Sequence, residues 1–248
     1  MKPEVWIRIA APIALLLLWE AVVRLRLLDP LFFPAPSWIA QTFVDYARSG
    51  ELVSNGSITL QRIVFGFLLG AIPGIAIGLL VGANRWAAAA IDPIVALLYP
   101  IPKLAILPLV LLVFGIGEES KHVLIAIGVF FIMLINTESG VRQIDSIYLD
   151  VARAFRIRSL SFYWRVVLPG AMPNIFTGLK LSIGVAVVLA VAAEFTAAKS
   201  GLGYTIWNGW QTLQVEKMYV ALVLVSLMGF ALAALLEYCE RFAIPWRR

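Results

Sequence analysis

Six stretches of this sequence stay apolar long enough to approach or exceed the thickness of a bilayer, and that repetition limits the fold more than any single residue does. A spanning helix needs roughly 20 apolar residues. The stretches are residues 5–25, 58–82, 87–114, 122–136, 175–198 and 218–240; prolines interrupt the third, and the fourth is short. Of the 248 residues, 61% are hydrophobic and 14% charged, against about 45–50% and 25% in soluble domains. One soluble core of this size cannot hide so much apolar surface, and the mean hydropathy of +0.91 says the same. The expected fold is an all-α polytopic membrane protein, a single transmembrane domain over residues 1–248 with six transmembrane helices. Its parts are a first span plus an external segment (1–57) and a permease-like core (58–248) with a cytoplasmic two-helix loop at 140–173. No small-residue cleavage site follows the apolar run at 9–19, so the first span is expected to stay uncleaved.

The external segment reads as an interfacial element. Pro34-Ala35-Pro36-Ser37 favours an extended entry with Ser37 as a helix cap, residues 38–48 form an amphipathic helix, and Ser49-Gly50 ends it. Lysine and arginine set the direction. With six spans both termini share a side, and that side holds Lys2, Arg8, Arg85, Arg142, Arg153, Arg156, Arg158, Arg165, Arg241, Arg247 and Arg248. The opposite loops hold Arg24, Arg26, Arg48, Lys121 and Lys199, with Lys217 at an edge; Arg62, Lys103 and Lys180 fall within or beside spans. The excess places both termini and the loop at 140–173 in the cytoplasm.

That loop is the longest polar stretch and carries five arginines. Asp150-Val151-Ala152-Arg153-Ala154-Phe155 suits a helix, with Leu149, Ala152, Phe155 and Ile157 covering one side. A second short helix fits residues 161–167, capped by Ser159 or Ser161. Leu168-Pro169 should stop it and Pro173 should open the next span.

At these residues the sequence resembles the coupling signature of binding-protein-dependent ABC importer permeases, which reads Glu-Ala-Ala, three residues, Gly, nine residues, Ile, one residue, Leu-Pro. Here Asp150-Val151-Ala152 is followed by Arg153-Ala154-Phe155, then Arg156, then residues 157–165, then Val166-Val167-Leu168-Pro169. The spacing matches throughout. Asp150, Val151, Arg156 and Val166 depart in type. Arg156 replaces a glycine that permits a left-handed turn, at a cost of about 1 kcal/mol or more; either Arg156 adopts that turn or the first helix runs on. Tyr99-Pro100-Ile101-Pro102-Lys103-Leu104-Ala105-Ile106-Leu107-Pro108, Phe114-Gly115-Ile116-Gly117-Glu118-Glu119-Ser120-Lys121, Val191-Ala192-Ala193-Glu194 and Gly201-Leu202-Gly203-Tyr204 are similar to the nitrate/sulfonate/taurine branch of that family.

The resemblance implies a permease in the bacterial inner membrane that works as a pair, usually a homodimer. Its partners would be two ABC ATPase subunits inside and a periplasmic or lipid-anchored substrate-binding protein outside, with membrane lipid around it and no nucleic acid. ATP would be bound by the partner subunits, so the chain itself needs no cofactor. Asp150, Val151, Ala152, Arg153, Ala154, Phe155 and Arg156, with Leu168 and Pro169 behind them, would be the ATPase-coupling residues. The solute would be a small anion such as a sulfonate, taurine or nitrate.

Other features carry two readings each. Gly66, Gly70, Gly74, Gly78 and Gly82 form a stripe at four-residue steps, either packing within the subunit or making a moving or dimer-forming contact; Pro73 predicts a kink there. Pro100 and Pro102 remove backbone donors, and irregular backbone at membrane depth survives only where protein or water covers it. Lys103 after them either attracts an anion along a translocation pathway or holds the kink. Glu194 ends a row of Ser182, Ala186 and Ala190; it lies on the pathway or pairs with a base. Gly201-Leu202-Gly203-Tyr204 and Trp207-Asn208-Gly209-Trp210 form a re-entrant or tight external segment, touching the binding protein or anchoring at the interface. His122 is read as structural rather than a proton relay.

Other classes fit poorly. Cys239 and His122 are single, which excludes an internal disulfide and a multi-histidine zinc site. An intramembrane serine protease needs a base histidine beside its serine, and no G-x-S-G occurs. Asp92, Asp145 and Asp150 lie at cytoplasmic edges, away from a paired-aspartate site. No G-x-x-x-x-G-K-[ST] occurs, so another chain must hydrolyse ATP. The remaining alternative is a channel or membrane scaffold without ATP coupling.

Overall fold

The computed structural model describes residues 3–157 and 160–245, with the side chains of residues 3–9 and of Arg153 excepted. The charges expected at Lys2, Arg158, Arg247 and Arg248, the cap at Ser159, and the side chains of Arg8 and Arg153 therefore lie outside the described residues. Everything described is helix, turn or loop. The helices are α1 (Pro3–Arg24), α2 (Pro36–Arg48), α3 (Glu51–Ala83), α4 (Arg85–Leu98), α5 (Leu107–Phe114), α6 (Glu118–Arg142), α7 (Ser146–Ala154), α8 (Leu160–Phe162), α9 (Leu168–Ala197), α10 (Leu202–Gln211) and α11 (Val215–Ala243). Among the described residues, four helices are long and apolar enough to cross a membrane, and α4 with the 3-10 turn and α5 makes a fifth, bent by 88°.

The central layer is α3 on α6 on α9, with α10 and α11 packed against α9 and α2 against α11. Ile63, Phe67, Ile125, Val129, Met133, Ile175, Ile183 and Val187 form its core. The outward faces stay apolar: Leu15, Leu17, Phe65, Ile72, Leu112, Leu227 and Phe230 are all exposed. In water such a surface would aggregate; against lipid chains it is matched.

Several boundaries differ from the sequence reading, for physical reasons. The fourth stretch is not short: α6 runs from Glu118 to Arg142, so residues 140–142 belong to it and not to the loop. Its end charges are paired, Lys121 with Glu118 and Arg142 with Glu138 and Asp92, and acids in the first turn with a base in the last suit the helix dipole. Ser37 does not cap α2. Pro36 opens that helix with Ala35 as its N-cap, and Glu20 of α1 accepts from the Ser37 amide at 3.0 Å and its hydroxyl at 2.8 Å. Ser49 and Gly50, with φ +79° at Gly50, do end it. Leu168 and Pro169 do not stop a helix either. Residues Leu160–Ala197 form one continuous element, in which Tyr163–Val167 is a π turn. There the Leu168 amide donates to the Tyr163 carbonyl, five residues back, and the wider turn makes room for the Pro169 ring. Pro173 sits inside the helix and does not begin it.

Candidate functional site

The third span is broken where its prolines predict. After α4 ends at Leu98, residues 99–102 leave the helical path before a 3-10 turn at Lys103–Ile106 and then α5. Lys103 ties the break together. Its Nζ donates to the carbonyls of Leu98 at 3.0 Å and Tyr99 at 2.9 Å at the end of α4, where the chain leaves the helix and Pro102 has no amide to offer; the Leu98 carbonyl also accepts from the Ile101 amide at 3.3 Å. The ammonium also lies 4.5 Å from the Phe131 ring centroid on α6, a cation–π distance. Holding the kink is thus one role the geometry supports for Lys103. A cavity of about 610 Å³ opens beside it between α3, α6 and the break.

Glu194 is not open to any pathway in this conformation. It is completely buried and accepts from Arg62 Nη1 at 2.7 Å, from Thr59 Oγ1 at 2.9 Å, and from the Gly203 amide at 2.7 Å. Arg62, two per cent exposed, also grips Glu118 through Nε at 2.6 Å and Nη2 at 2.7 Å, and donates to the Ser200 carbonyl at 2.8 Å. Lys121 adds a bond to Glu118 at 3.2 Å. One guanidinium therefore ties the ends of α3, α6 and α9 and the turn that follows, using its planar fork of donors. Gly201 completes the closure: its φ is +109°, its amide donates to Asn55 at 2.7 Å, and any Cβ there would meet the Glu194 carboxyl at 2.5 Å. The sequence reading placed Arg62 within or beside a span, named no partner for it, and missed this hub. The signal was a lone arginine inside an apolar run, which demands a buried partner. The row Ser182, Ala186, Ala190 and Glu194 is buried throughout, as expected.

The glycine stripe packs within the subunit. Gly66, Gly70, Gly74, Gly78 and Gly82 all face α6, where an added Cβ would strike Ile125, the Ala126 backbone, Met133, Thr137 and Val141 respectively. Beyond Gly201 the segment is the helix α10, not a loop; Trp207 stacks on Phe195 at 5.5 Å and meets Trp210 at 4.9 Å. His122 packs on Phe65 at 5.8 Å, in keeping with a structural residue.

Between α6 and α9 the coupling-like residues sit on α7 and the turn after it. Ala152 is two per cent exposed, turned into the chain's own fold. A charge at Ala152 would therefore disrupt this packing and would not project outward from α7. Phe155, expected to cover one side with it, is instead 77% exposed, and Val151, Tyr148 and Ile147 are exposed as well. Asp150, Ala154 and Arg156 lie outward too. Arg156 adopts the left-handed turn, with φ +52°, and the Ile157 amide returns to the Ala152 carbonyl at 2.9 Å; α7 does not run on. Beneath α7, a cavity of about 760 Å³ lies between Tyr148, Val151, Arg165 and Pro169.

Comparisons with known proteins fit this arrangement. The family profile of binding-protein-dependent transport system inner membrane components matches residues 74–244. The chain is 35% identical to an aliphatic sulfonates transport permease protein, SsuC, of Bacillus subtilis (strain 168), over 95% of this chain and 86% of that one. It is 30% identical to the taurine transport system permease protein TauC of Escherichia coli (strain K12), over 99% and 91%. It is 35% identical to the nitrate import permease protein NrtB of Leptolyngbya laminosa, over 75% and 67%. Among solved structures, an inward-facing MetNI methionine ABC transporter has a similar fold, with a TM-score of 0.67 at 19% identity over 79% of this chain and 98% of that one. The chain belongs to the family of binding-protein-dependent transport system inner membrane components, and is an ABC importer permease subunit rather than an enzyme.

Proposed function

We propose that this chain is one half of a paired permease in the bacterial inner membrane, carrying a small sulfonate-type anion through a pathway between two copies. Six spans follow if α1, a 22-residue helix, joins the four long helices and the bent pair. Both termini and α7 are then cytoplasmic, as the lysine and arginine distribution favours. Residues 1–57 add the first span and the external helix α2 to a core at 58–248.

The observation that carries the reading is the apolar outer face of α7. Val151 and Phe155 stand exposed on a connecting segment where water, not lipid, is the solvent. Such a patch needs a partner, and a separate ATPase is the partner an importer permease requires. Asp150, Val151, Arg153, Ala154, Phe155 and Arg156 are the docking residues, while Ala152, Leu168 and Pro169 support them from behind. The exposed break at 99–102 supports the pairing: irregular backbone at membrane depth cannot face lipid, so a second copy or the pathway itself must cover it. The solute class follows the named substrates of the relatives.

Val151→Cys in the assembled importer should crosslink to the ATPase subunit, with the yield changing between nucleotide-free and ATP-bound states. Labelling of that cysteine from the periplasmic side, or no crosslink in either state, would refute the docking assignment.

A further inference from the structure

The cation at the break differs from the others set into the spans. Arg62 is held by Glu118 and Glu194, Lys121 by Glu118, and Lys180 by Glu240. Lys103 meets only the neutral carbonyls of Leu98 and Tyr99 and the rings of Tyr99 and Phe131, with no acidic partner among the described residues. An ammonium in apolar surroundings without an anion is costly, and two carbonyls leave one of its three donors unspent. The cavity beside it measures about 610 Å³, within the roughly 300–1,000 Å³ of small-molecule sites. Apart from Lys103 its walls are apolar, chiefly Leu69, Ile106, Leu109, Ile127 and Phe130, and no acidic side chain lines it.

We propose that Lys103 and this cavity form a site for a singly charged anion with a short aliphatic chain, an alkanesulfonate rather than taurine or nitrate. This deepens, and rests on, the reading of the chain as a sulfonate-type importer subunit. The spare Lys103 donor takes a sulfonate oxygen, and the alkyl chain lies along Leu69, Ile127 and Phe130. Taurine has the same sulfonate, but its ammonium would be buried without a carboxylate to receive it, a penalty that hydrophobic walls cannot offset. Nitrate reaches Lys103 but leaves the apolar walls without contacts.

The test uses the complex of permease and ATPase subunits in lipid nanodiscs, without the binding protein, so that its selectivity does not enter. Pentanesulfonate, taurine and nitrate are titrated by calorimetry. The expected result is pentanesulfonate binding tighter than the other two by about tenfold or more. Lys103→Gln should weaken it by about as much, and Lys103→Arg should keep it. Because Lys103 also ties the break, Leu109→Trp provides an independent variant: it fills the cavity, leaves the tie intact, and should abolish pentanesulfonate binding. Equal affinity for taurine or nitrate, unchanged affinity in Leu109→Trp, absence of pentanesulfonate binding, or a co-purifying lipid chain that pentanesulfonate fails to displace each overturns the site. Co-purification of the ATPase separates the two levels: if it assembles and pentanesulfonate does not bind, the site fails and the importer reading stands; if it does not assemble, the importer reading itself fails.

Discussion

The end of the molecule at Arg62 and the end at α7 are built on opposite terms. Around Arg62 every charge is answered: two carboxylates, a hydroxyl, a carbonyl and two amides close on one another, and Glu194 is wholly buried. At α7 the apolar residues face outward, and the turn that ends it holds a non-glycine residue in a left-handed conformation. A buried ionic cluster is self-sufficient and intolerant of loss, whereas the turn after α7 leaves an apolar patch that nothing within the chain covers. The contrast separates the part that holds the bundle from the part proposed to dock the ATPase.

Four single substitutions and one double substitution test that contrast. Arg62→Ala strands Glu194 in the interior and should cost about 3–5 kcal/mol, read as a lowered unfolding midpoint of the detergent-solubilised protein. Replacing Arg62 and Glu194 together with Met should cost less than the sum of the single changes. Gly201→Ala forces a side chain into a glycine-only conformation beside the Glu194 carboxyl, for about 1–3 kcal/mol, by the same measurement. At the other end, Arg156→Gly should relieve the turn by about 1 kcal/mol, seen as slower hydrogen exchange across residues 150–157. Phe155→Asp should change stability by no more than about 0.5 kcal/mol and yet abolish co-purification of the ATPase. A stability loss for Phe155→Asp as large as that for Arg62→Ala would erase the distinction.

The four long spans and the bent fifth were legible because hydropathy alone locates them, and the break was legible because Pro100 and Pro102 cannot continue a helix. Their ends were not. Glu118, Lys121 and Arg142 look like loop residues in the sequence, and only their pairing across turns and between helices keeps them helical. Pro169 looked like a stop because nothing in the sequence announces a π turn. The cluster around Arg62 was hidden for a related reason: Arg62 finds Glu118 56 residues away and Glu194 132 residues away, and no local pattern encodes that meeting. The spacing of Asp150 to Pro169 was fully visible. The direction in which Ala152 and Phe155 point was not, since it depends on how α7 sits against the start of α9.

The joined element from Leu160 to Ala197 has a mechanical consequence. Leu160 lies just after the α7 turn, and Glu194 lies in the charge cluster at the other end of the same helix, about 50 Å away at 1.5 Å per residue. Two features can bend a helix of that length: the π turn at Tyr163–Val167, where the backbone leaves the α-helical register, and Pro173 inside the helix. A displacement at Leu160 would therefore be carried along this one element toward the cluster around Glu194, with bending concentrated at those two places.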